Sequence, residues 1–165
     1  MNKRTKKTIS INDALARARK YCALNERTRE MVSRKLQEYG VLEGDIQTLL
    51  EKLTAEGFLN ERRFAKAFAG GKFRMKKWGR NRIKTEMMKK GLPKDLVSLG
   101  LAELNELDYT KTLDTLLAKK KEALKRKGLG KMQMLASLLR YALQKGFEQN
   151  VAMDRIRKLG FDEPE

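Results

Sequence analysis

The stretch 57–91, GFLNERRFAKAFAGGKFRMKKWGRNRIKTEMMKKG, contains two helical patterns separated by a single break. Asn60 is suited to cap the first helix, because its side chain can accept a hydrogen bond from a free N–H group of the first turn. Trp78-Gly79 interrupts the pattern, and Ile83 with Met87 then marks a second helix that ends at Gly91. The predicted inner face of the first helix consists of Phe64, Ala65, Phe68 and Phe73. No part of the stretch alternates as a strand would, so it predicts two consecutive amphipathic helices.

The same helical period continues on both sides of this stretch. Seven more helices are predicted from apolar stripes within residues 14–22, 31–39, 46–53, 96–104, 109–124, 132–143 and 151–159. Ser10 with Asp13, and then Thr28, are suited to cap the first two helices of the chain. Pro93 is expected in the first turn of the sixth helix and Asp108 at the start of the seventh, with a hinge at 128–130 before the eighth. The predicted fold class is all-α, with about nine helices.

Three glycines align these helices into a repeat. Gly40, Gly91 and Gly146 stand 51 and 55 residues apart, and apolar residues recur at offsets −8, −4, +1, +10 and +13 from each of them. The matching sets are Val32, Leu36, Val41, Leu50 and Leu53; Ile83, Met87, Leu92, Leu101 and Leu104; and Leu138, Ala142, Phe147, Ile156 and Leu159. The pattern predicts tandem three-helix repeats at 11–57, 58–107 and 108–165, after a basic flexible arm at 1–10. An array of such repeats is expected to be elongated.

The residue composition leaves little room for catalytic or metal chemistry. The 165 residues include no histidine and a single cysteine, so a histidine-based catalytic triad or a histidine- or cysteine-rich metal site cannot be built. Residues 69–73, AGGKF, faintly resemble a phosphate-binding loop, but the first glycine and the final Ser/Thr of that motif are absent. We therefore expect a protein that is not an enzyme and needs no cofactor or metal. Cys22 is interpreted as a buried, inert thiol.

Other features of the chain favour a cytoplasmic location. The longest uncharged run, 132–139, has eight residues, far fewer than the about 20 that a membrane helix requires. The basic residues near the start are not followed by the apolar region of a secretory signal. The use of one cysteine fits a reducing compartment.

Charge is the strongest functional signal in the sequence. There are 38 Lys and Arg residues against 21 Asp and Glu, and the net charge of +17 favours an anionic partner. The first candidate binding set is Lys72, Arg74, Lys76, Lys77, Arg80, Arg82 and Lys84, and a second basic patch is Lys119, Lys120, Lys121, Lys125, Arg126 and Lys127. Phe73 and Trp78 lie among the first set, where exposed rings would stack on bases. We favour the interpretation that both rings are core residues, because Phe73 continues the stripe of Phe64 and Phe68.

Several motifs of the central stretch resemble a known family. They are Gly57-Phe58-Leu59-Asn60, Phe64-Ala65, Trp78-Gly79-Arg80, Arg82-Ile83, Glu86 and Lys90-Gly91. This pattern resembles the RecX family, whose members regulate the RecA recombinase, and the resemblance extends over about residues 14–104. It implies tandem three-helix repeats, in agreement with the repeat above. It also implies a non-enzymatic protein that lies in the groove of the RecA–single-stranded DNA filament and dampens filament growth, ATPase, recombination and the SOS response.

The resemblance assigns expected roles to the basic residues. The first set is expected to face the acidic surface of the filament or the phosphates of its DNA. That DNA is expected to be single-stranded or, alternatively, double-stranded. The protein is expected to be a monomer that spans neighbouring recombinase subunits. One departure from the family pattern is Gly70-Gly71, where bulkier residues are usual, so the fourth helix is expected to bend or end early.

Two other functions are compatible with the same residues. A general helical DNA- or RNA-binding protein would act without a recombinase, and its affinity would fall steeply with salt. A basic scaffold for an acidic protein or a membrane has less support, because no predicted helix combines a basic face with a large exposed apolar one. No membrane partner is therefore expected.

Overall fold

The computed structural model describes residues 9–161. Over that range the chain forms nine α-helices and no β-strand, which confirms the all-α prediction. The helices are α1 (Ile11–Leu24), α2 (Arg29–Glu38), α3 (Glu43–Ala55), α4 (Glu61–Lys76), α5 (Arg80–Lys89), α6 (Lys94–Ala102), α7 (Glu106–Lys125), α8 (Lys131–Lys145) and α9 (Gln149–Arg157). Within 9–161, none of the helices has the length and apolar character needed to cross a bilayer. Most of the predicted basic arm, residues 1–8, lies outside the described range, as do residues 162–165.

Side-chain caps fix the starts of several helices. The hydroxyl of Ser10 accepts a hydrogen bond from the N–H of Asp13 at 3.1 Å, and Thr28 and Asn60 cap α2 and α4 in the same way, as predicted. The predicted start of α7 at Asp108 is wrong by two residues, because the side chain of Asn105 accepts from the N–H of Asp108 at 3.0 Å and starts the helix at Glu106. Pro93 immediately precedes α6 rather than lying in its first turn.

Extensive helix packing occurs within successive triplets, α1–α3, α4–α6 and α7–α9, which we call units 1, 2 and 3. Gly40, Gly91 and Gly146 end the second helix of each unit with φ of +90°, +84° and +97°. After each glycine, the N–H of the next residue donates to the carbonyl five residues earlier, at 3.0–3.3 Å. This left-handed helix end is a turn that glycine makes without steric cost. The three glycines therefore occupy one structural role, as the repeat predicted.

The apolar residues form two separate cores. Unit 1 has its own core, built around side chains such as Val32, Leu36 and Leu53, none of which is exposed. Units 2 and 3 share a larger core that includes Ile83, Leu138 and nearly all other buried apolar residues of α4–α9. Elongation of the array stays a prediction. Unit 1 has a separate buried core, but it contacts unit 2, because Met31 of α2 packs against the larger core and Arg63 of α4 pairs with Glu26.

A close backbone contact joins units 2 and 3. The N–H of Gly79 donates to the carbonyl of Lys145 at 2.8 Å, and the N–H of Asn81 donates to the carbonyl of Gly146 at 2.9 Å. A Cβ atom at Gly79 would lie 2.3 Å from the carbonyl carbon of Gly146, so only glycine fits there. We call this contact the Gly79–Gly146 joint. It holds the start of α5 against the end of α8.

The expectation that Gly70-Gly71 ends α4 early is wrong, while a bend at these glycines stays a prediction. The helix continues through both glycines to Lys76. It persists because the apolar stripe on either side, Phe64 and Phe73, is buried in the shared core, and burial outweighs the loss of about 1 kcal/mol that a helical glycine brings. The guanidinium of Arg74 folds back over Gly70 and occupies the space of the missing side chain.

Candidate functional site

The turn between α4 and α5 carries the first basic set on its surface. Lys77 adopts a left-handed conformation with φ of +57°, and its N–H donates to the carbonyl of Phe73 at 3.0 Å to close α4. The cations on either side of this turn then point outward from two helix ends. We call the exposed or half-buried members the basic turn: Lys72, Arg74, Lys76, Lys77, Arg82 and Lys84.

Within residues 9–161, the members of the basic turn have no carboxylate partner. Lys72 lies between two aromatic rings, with its Nζ atom 5.4 Å from the ring centre of Phe68 and 5.2 Å from that of Trp78. The guanidinium of Arg82 lies 4.3 Å from the ring centre of Trp78. Exposed cations that lack internal partners repel one another and favour binding of anions. The basic turn is therefore an electropositive surface available to phosphates or carboxylates.

The two aromatic residues of this region have different surroundings. Phe73 is buried and stacks on Tyr109 with 5.7 Å between ring centres, so its interpretation as a core residue is confirmed. Trp78 is half-buried, packs against the shared core on one side and contacts Lys72 and Arg82 on the other. It supports the two cations at fixed positions on the surface.

Arg80 differs from the rest of the first set, because its charge is paired within the molecule. Its side chain is only 19% exposed. The guanidinium donates to Glu148 at 3.0 Å, forms a second ion pair with Glu106 and lies 3.9 Å from the ring centre of Tyr109. Its charge is thus neutralised inside the molecule. Arg80 holds α5 against α7 and the start of α9 instead of facing a partner.

Tyr109 completes this internal network. Its hydroxyl accepts a hydrogen bond from the backbone N–H of Arg80 at 2.9 Å and donates one to the carboxylate of Glu148. Burial, together with the bond to Glu148, raises the pKa of Tyr109 far above its usual value, so the phenol stays protonated as a donor. Burial lowers the pKa of Arg80, but the ion pairs with Glu148 and Glu106 outweigh that effect and the net pKa is raised. The network is a structural brace beside the joint.

Lys145 is a further cation beside the basic turn, and the sequence pattern does not single it out. It lies at the end of α8, and its Nζ atom donates to the carbonyl of Lys76 at 2.9 Å. Burial and the nearby charge of Arg82 lower the pKa of Lys145. No spacing rule links Lys145 to a turn 69 residues earlier, and only the folded joint brings the two together.

The second basic patch is divided by the structure. Lys121 is used internally, because its Nζ atom donates to the carbonyl of Leu159 at 2.9 Å and lies over the ring of Phe161. Lys125 pairs with Glu122 at 3.4 Å. Exposed members without a carboxylate partner in the described range are Lys119, Arg126 and Lys127, while Lys120 contacts the ring of Tyr141.

A groove between α7 and α8 connects the second patch to the basic turn. It has a volume of about 420 Å³, and Lys120, Lys127, Arg140 and Gln144 are among the residues that line it. At its end, Arg82 of the basic turn approaches the carbonyl of Gln144 at 3.5 Å. Arg140 was not singled out from the sequence, because it stands alone on an otherwise uncharged part of α8. Cationic side chains therefore extend from Lys120 and Lys127 of the second patch, through Arg140 on α8, to Arg82 on α5.

Nothing in this arrangement resembles a catalytic centre. Over the described part of the chain, no three metal-ligating side chains cluster together. Cys22 is buried in the core of unit 1, as predicted, and burial raises the pKa of its thiol. The surface offers charge and shape for binding.

Several known proteins are similar to this chain in sequence. A sequence model described as the second three-helix domain of RecX matches residues 60–101. The regulatory protein RecX of Clostridium perfringens (strain 13 / Type A) is 29% identical over 133 residues, which are 81% of this chain and 62% of that protein. RecX of Clostridium botulinum (strain Eklund 17B / Type B) is 25% identical over 162 residues, 96% of this chain and 76% of that protein. The chain therefore spans less than two thirds of the C. perfringens relative.

The fold also matches a solved structure. The crystal structure of RecX from Lactobacillus salivarius superposes with a TM-score of 0.83 at 21% sequence identity, over 92% of this chain and 97% of that one. The family model matches a part of unit 2, and the RecX relatives match most of the chain. Both matches agree with a fold of repeated three-helix units. The chain is similar to RecX regulatory proteins in sequence and shares their fold.

Proposed function

We propose that this protein binds the filament of a RecA-type recombinase on single-stranded DNA in the cytoplasm and limits its growth, ATPase and recombination and SOS activities. The observation that carries the proposal is the basic turn, a set of outward cations without carboxylate partners in residues 9–161, in a chain similar to RecX regulatory proteins. Such a surface matches the acidic side chains and phosphates that a nucleoprotein filament presents.

The joint between units 2 and 3 supports binding to a repeating partner. Because the Gly79–Gly146 joint and the Arg80 network hold α5 against unit 3, the basic turn and the groove between α7 and α8 keep a fixed separation. Two cationic surfaces at a fixed distance can contact two neighbouring subunits at once. Such a bridge obstructs the addition of subunits without any covalent step.

The first experiment is a DNA-dependent ATPase assay of a RecA-type recombinase with this protein at far less than one molecule per recombinase. A protein that acts on filament growth reduces ATPase at these substoichiometric amounts. If ATPase falls only when the protein is abundant enough to coat the DNA, the filament proposal is wrong and competition for phosphates explains the effect.

Charge reversal tests the basic turn itself. Arg74→Glu with Lys84→Glu changes two exposed side chains that have no carboxylate partner in residues 9–161, so the fold should be retained while inhibition weakens by about tenfold or more. The matched control, Lys20→Glu with Lys52→Glu, alters net charge equally on exposed positions of unit 1. Equal inhibition by the two double variants would remove the basic turn from the interface.

General nucleic-acid binding is the second candidate, and the cationic groove between α7 and α8 favours it. A protein of this kind binds DNA in the absence of recombinase. The logarithm of its binding constant falls linearly with the logarithm of the salt concentration. Binding to single-stranded DNA without recombinase, measured at several salt concentrations, separates the two candidates. Strong binding that explains the whole ATPase effect supports the second one.

A further inference from the structure

The outward side of α8 carries a line of apolar residues that is exposed along most of its length, although Leu139 also packs against the shared core. Met132 and Leu143 are 64% and 42% exposed, and Ala136 and the half-buried Leu139 lie between them. These residues follow the spacing i, i+4, i+7 and i+11, which places them along one line of a helix. Ala136, Leu139 and Leu143 line a shallow groove of about 500 Å³ together with Arg140 and Gln144. We call these four apolar residues the α8 strip.

The internal repeat shows that the α8 strip is particular to unit 3. The glycine alignment places the four positions at Lys77, Asn81, Lys84 and Met88 in unit 2, and at Glu26, Glu30, Ser33 and Gln37 in unit 1. Seven of these eight counterparts are polar. An apolar line is therefore not required to build the second helix of a unit, and exposed apolar side chains in a line are typical of a docking surface.

The charges around the α8 strip define the kind of partner that fits it. Helix α8 contains no Asp or Glu. Arg140 borders the strip on one side and has no carboxylate partner in the described range, and the groove that it shares with Lys120 and Lys127 lies beside it. An approaching helix would find apolar contacts along the strip and unpaired cations along its edge.

We propose that the α8 strip binds an amphipathic helix of a partner protein, with acidic side chains flanking its apolar face. The apolar face packs on Met132, Ala136, Leu139 and Leu143, and the acidic flank pairs with Arg140 and the adjoining lysines. The α8 strip shares Arg140 with the groove between α7 and α8 that the proposed function uses. Its test is nevertheless separate, because peptide binding to the strip needs neither DNA nor recombinase.

Charge and shape favour this occupant over two others. A second copy of the chain would bring one helix without acidic residues against another, which like-charge repulsion opposes. A membrane surface is matched by a broad apolar face, whereas the strip is one side chain wide and bordered by Arg140 and Gln144.

Peptide binding tests the proposal. The probe is a fluorescent helical peptide of about 18 residues, which spans the length of α8, with leucines in one line and glutamates beside them. Fluorescence anisotropy should show micromolar binding to the full chain. A scrambled peptide of the same composition should bind at least about tenfold more weakly, because the charge is unchanged while the apolar line is lost.

Paired variants locate the site. Leu143→Asp should weaken binding of the probe by about tenfold or more, while its repeat counterpart Met88→Asp, at a position 45% exposed, should not. Ala136→Glu, compared with Asn81→Glu, repeats the test at fully surface positions that leave the core untouched. Circular dichroism checks that every variant keeps its helices.

Several results would overturn the proposal. Equal binding of the ordered and scrambled peptides, or equal loss in Leu143→Asp and Met88→Asp, would show general charge attraction. A dimer in sedimentation experiments that Ala136→Glu dissociates would assign the strip to a second copy. Binding to anionic phospholipid vesicles that Ala136→Glu abolishes would assign it to a membrane.

Discussion

Replacement of Gly79 by alanine is expected to open the joint between units 2 and 3. The added Cβ atom would stand 2.3 Å from the carbonyl carbon of Gly146 and from the N atom of Phe147, and 2.4 Å from the carbonyl oxygen of Gly146. All three are backbone atoms, so no side-chain rotation relieves the clash. The start of α5 has to move away from the end of α8 by about 1 Å to reach ordinary contact.

That displacement breaks the two hydrogen bonds of the joint, from Gly79 to Lys145 and from Asn81 to Gly146. Each contributes about 0.5–1.5 kcal/mol to the free energy of unfolding, and the strain of overpacking adds about 1–3 kcal/mol. We therefore expect Gly79→Ala to lower the free energy of unfolding by about 2–6 kcal/mol, a large share of the stability of an ordinary domain.

Urea unfolding followed by tryptophan fluorescence measures this loss directly, because Trp78 is the only tryptophan of the chain and adjoins the joint. The matched control is Gly130→Ala. Gly130 precedes α8 with φ of −69°, close to the −76° of Gly79 before α5, and a Cβ atom there meets no other atom within 4 Å. If the two variants lose the same free energy, the joint is not the tight contact described above.

Three further predictions concern single side chains. Tyr109→Phe should lower the free energy of unfolding by about 1–3 kcal/mol, because the N–H of Arg80 and the carboxylate of Glu148 lose a partner; a urea midpoint equal to that of the parent would contradict this. Lys77→Gly should raise the free energy of unfolding by about 0.5–1 kcal/mol, because a left-handed conformation costs a non-glycine residue about 1–2 kcal/mol and the extra chain entropy of glycine offsets only about 0.5–1 kcal/mol of that; a lowered urea midpoint would show that the lysine stabilises the turn. The thiol of Cys22 is buried and its pKa is raised, so iodoacetamide should modify it far more slowly in the native protein than in urea, and similar rates would show that the unit 1 core opens readily.

The helices and their repeat could be predicted from sequence because both depend on local rules. Apolar spacing reports which side of a helix is buried, and Thr28 and Asn60 act as caps through atoms only three residues away. The glycine ends at Gly40, Gly91 and Gly146 are equally local. The start of α7 was misplaced because Asn105 and Asp108 are both suited to a first turn, and only the hydrogen bond between them shows which one is the cap.

The candidate site was predicted only in part, because pairing of charges depends on distant residues. Arg80 and Arg82 are equally basic neighbours in the sequence. The carboxylates that neutralise Arg80 belong to Glu106 and Glu148, 26 and 68 residues further along the chain. Lys145 could not be predicted for the same reason, because only the folded Gly79–Gly146 joint places it beside the basic turn. Charge density in a sequence thus indicates the region of a binding surface without indicating which cations remain free.

The division of the apolar residues into two cores has a consequence for how damage spreads through the protein. Separate cores are expected to open as separate cooperative units, and distant substitutions in separate units usually change stability additively. A cavity made at Leu36 or Leu53 should therefore loosen unit 1 without shifting the residues around Ile83 and Leu138. The helices that carry the basic turn and the α8 strip are packed around the larger core, so we expect both surfaces to keep their geometry when unit 1 opens. Unit 1 can vary in stability while the binding surfaces remain intact.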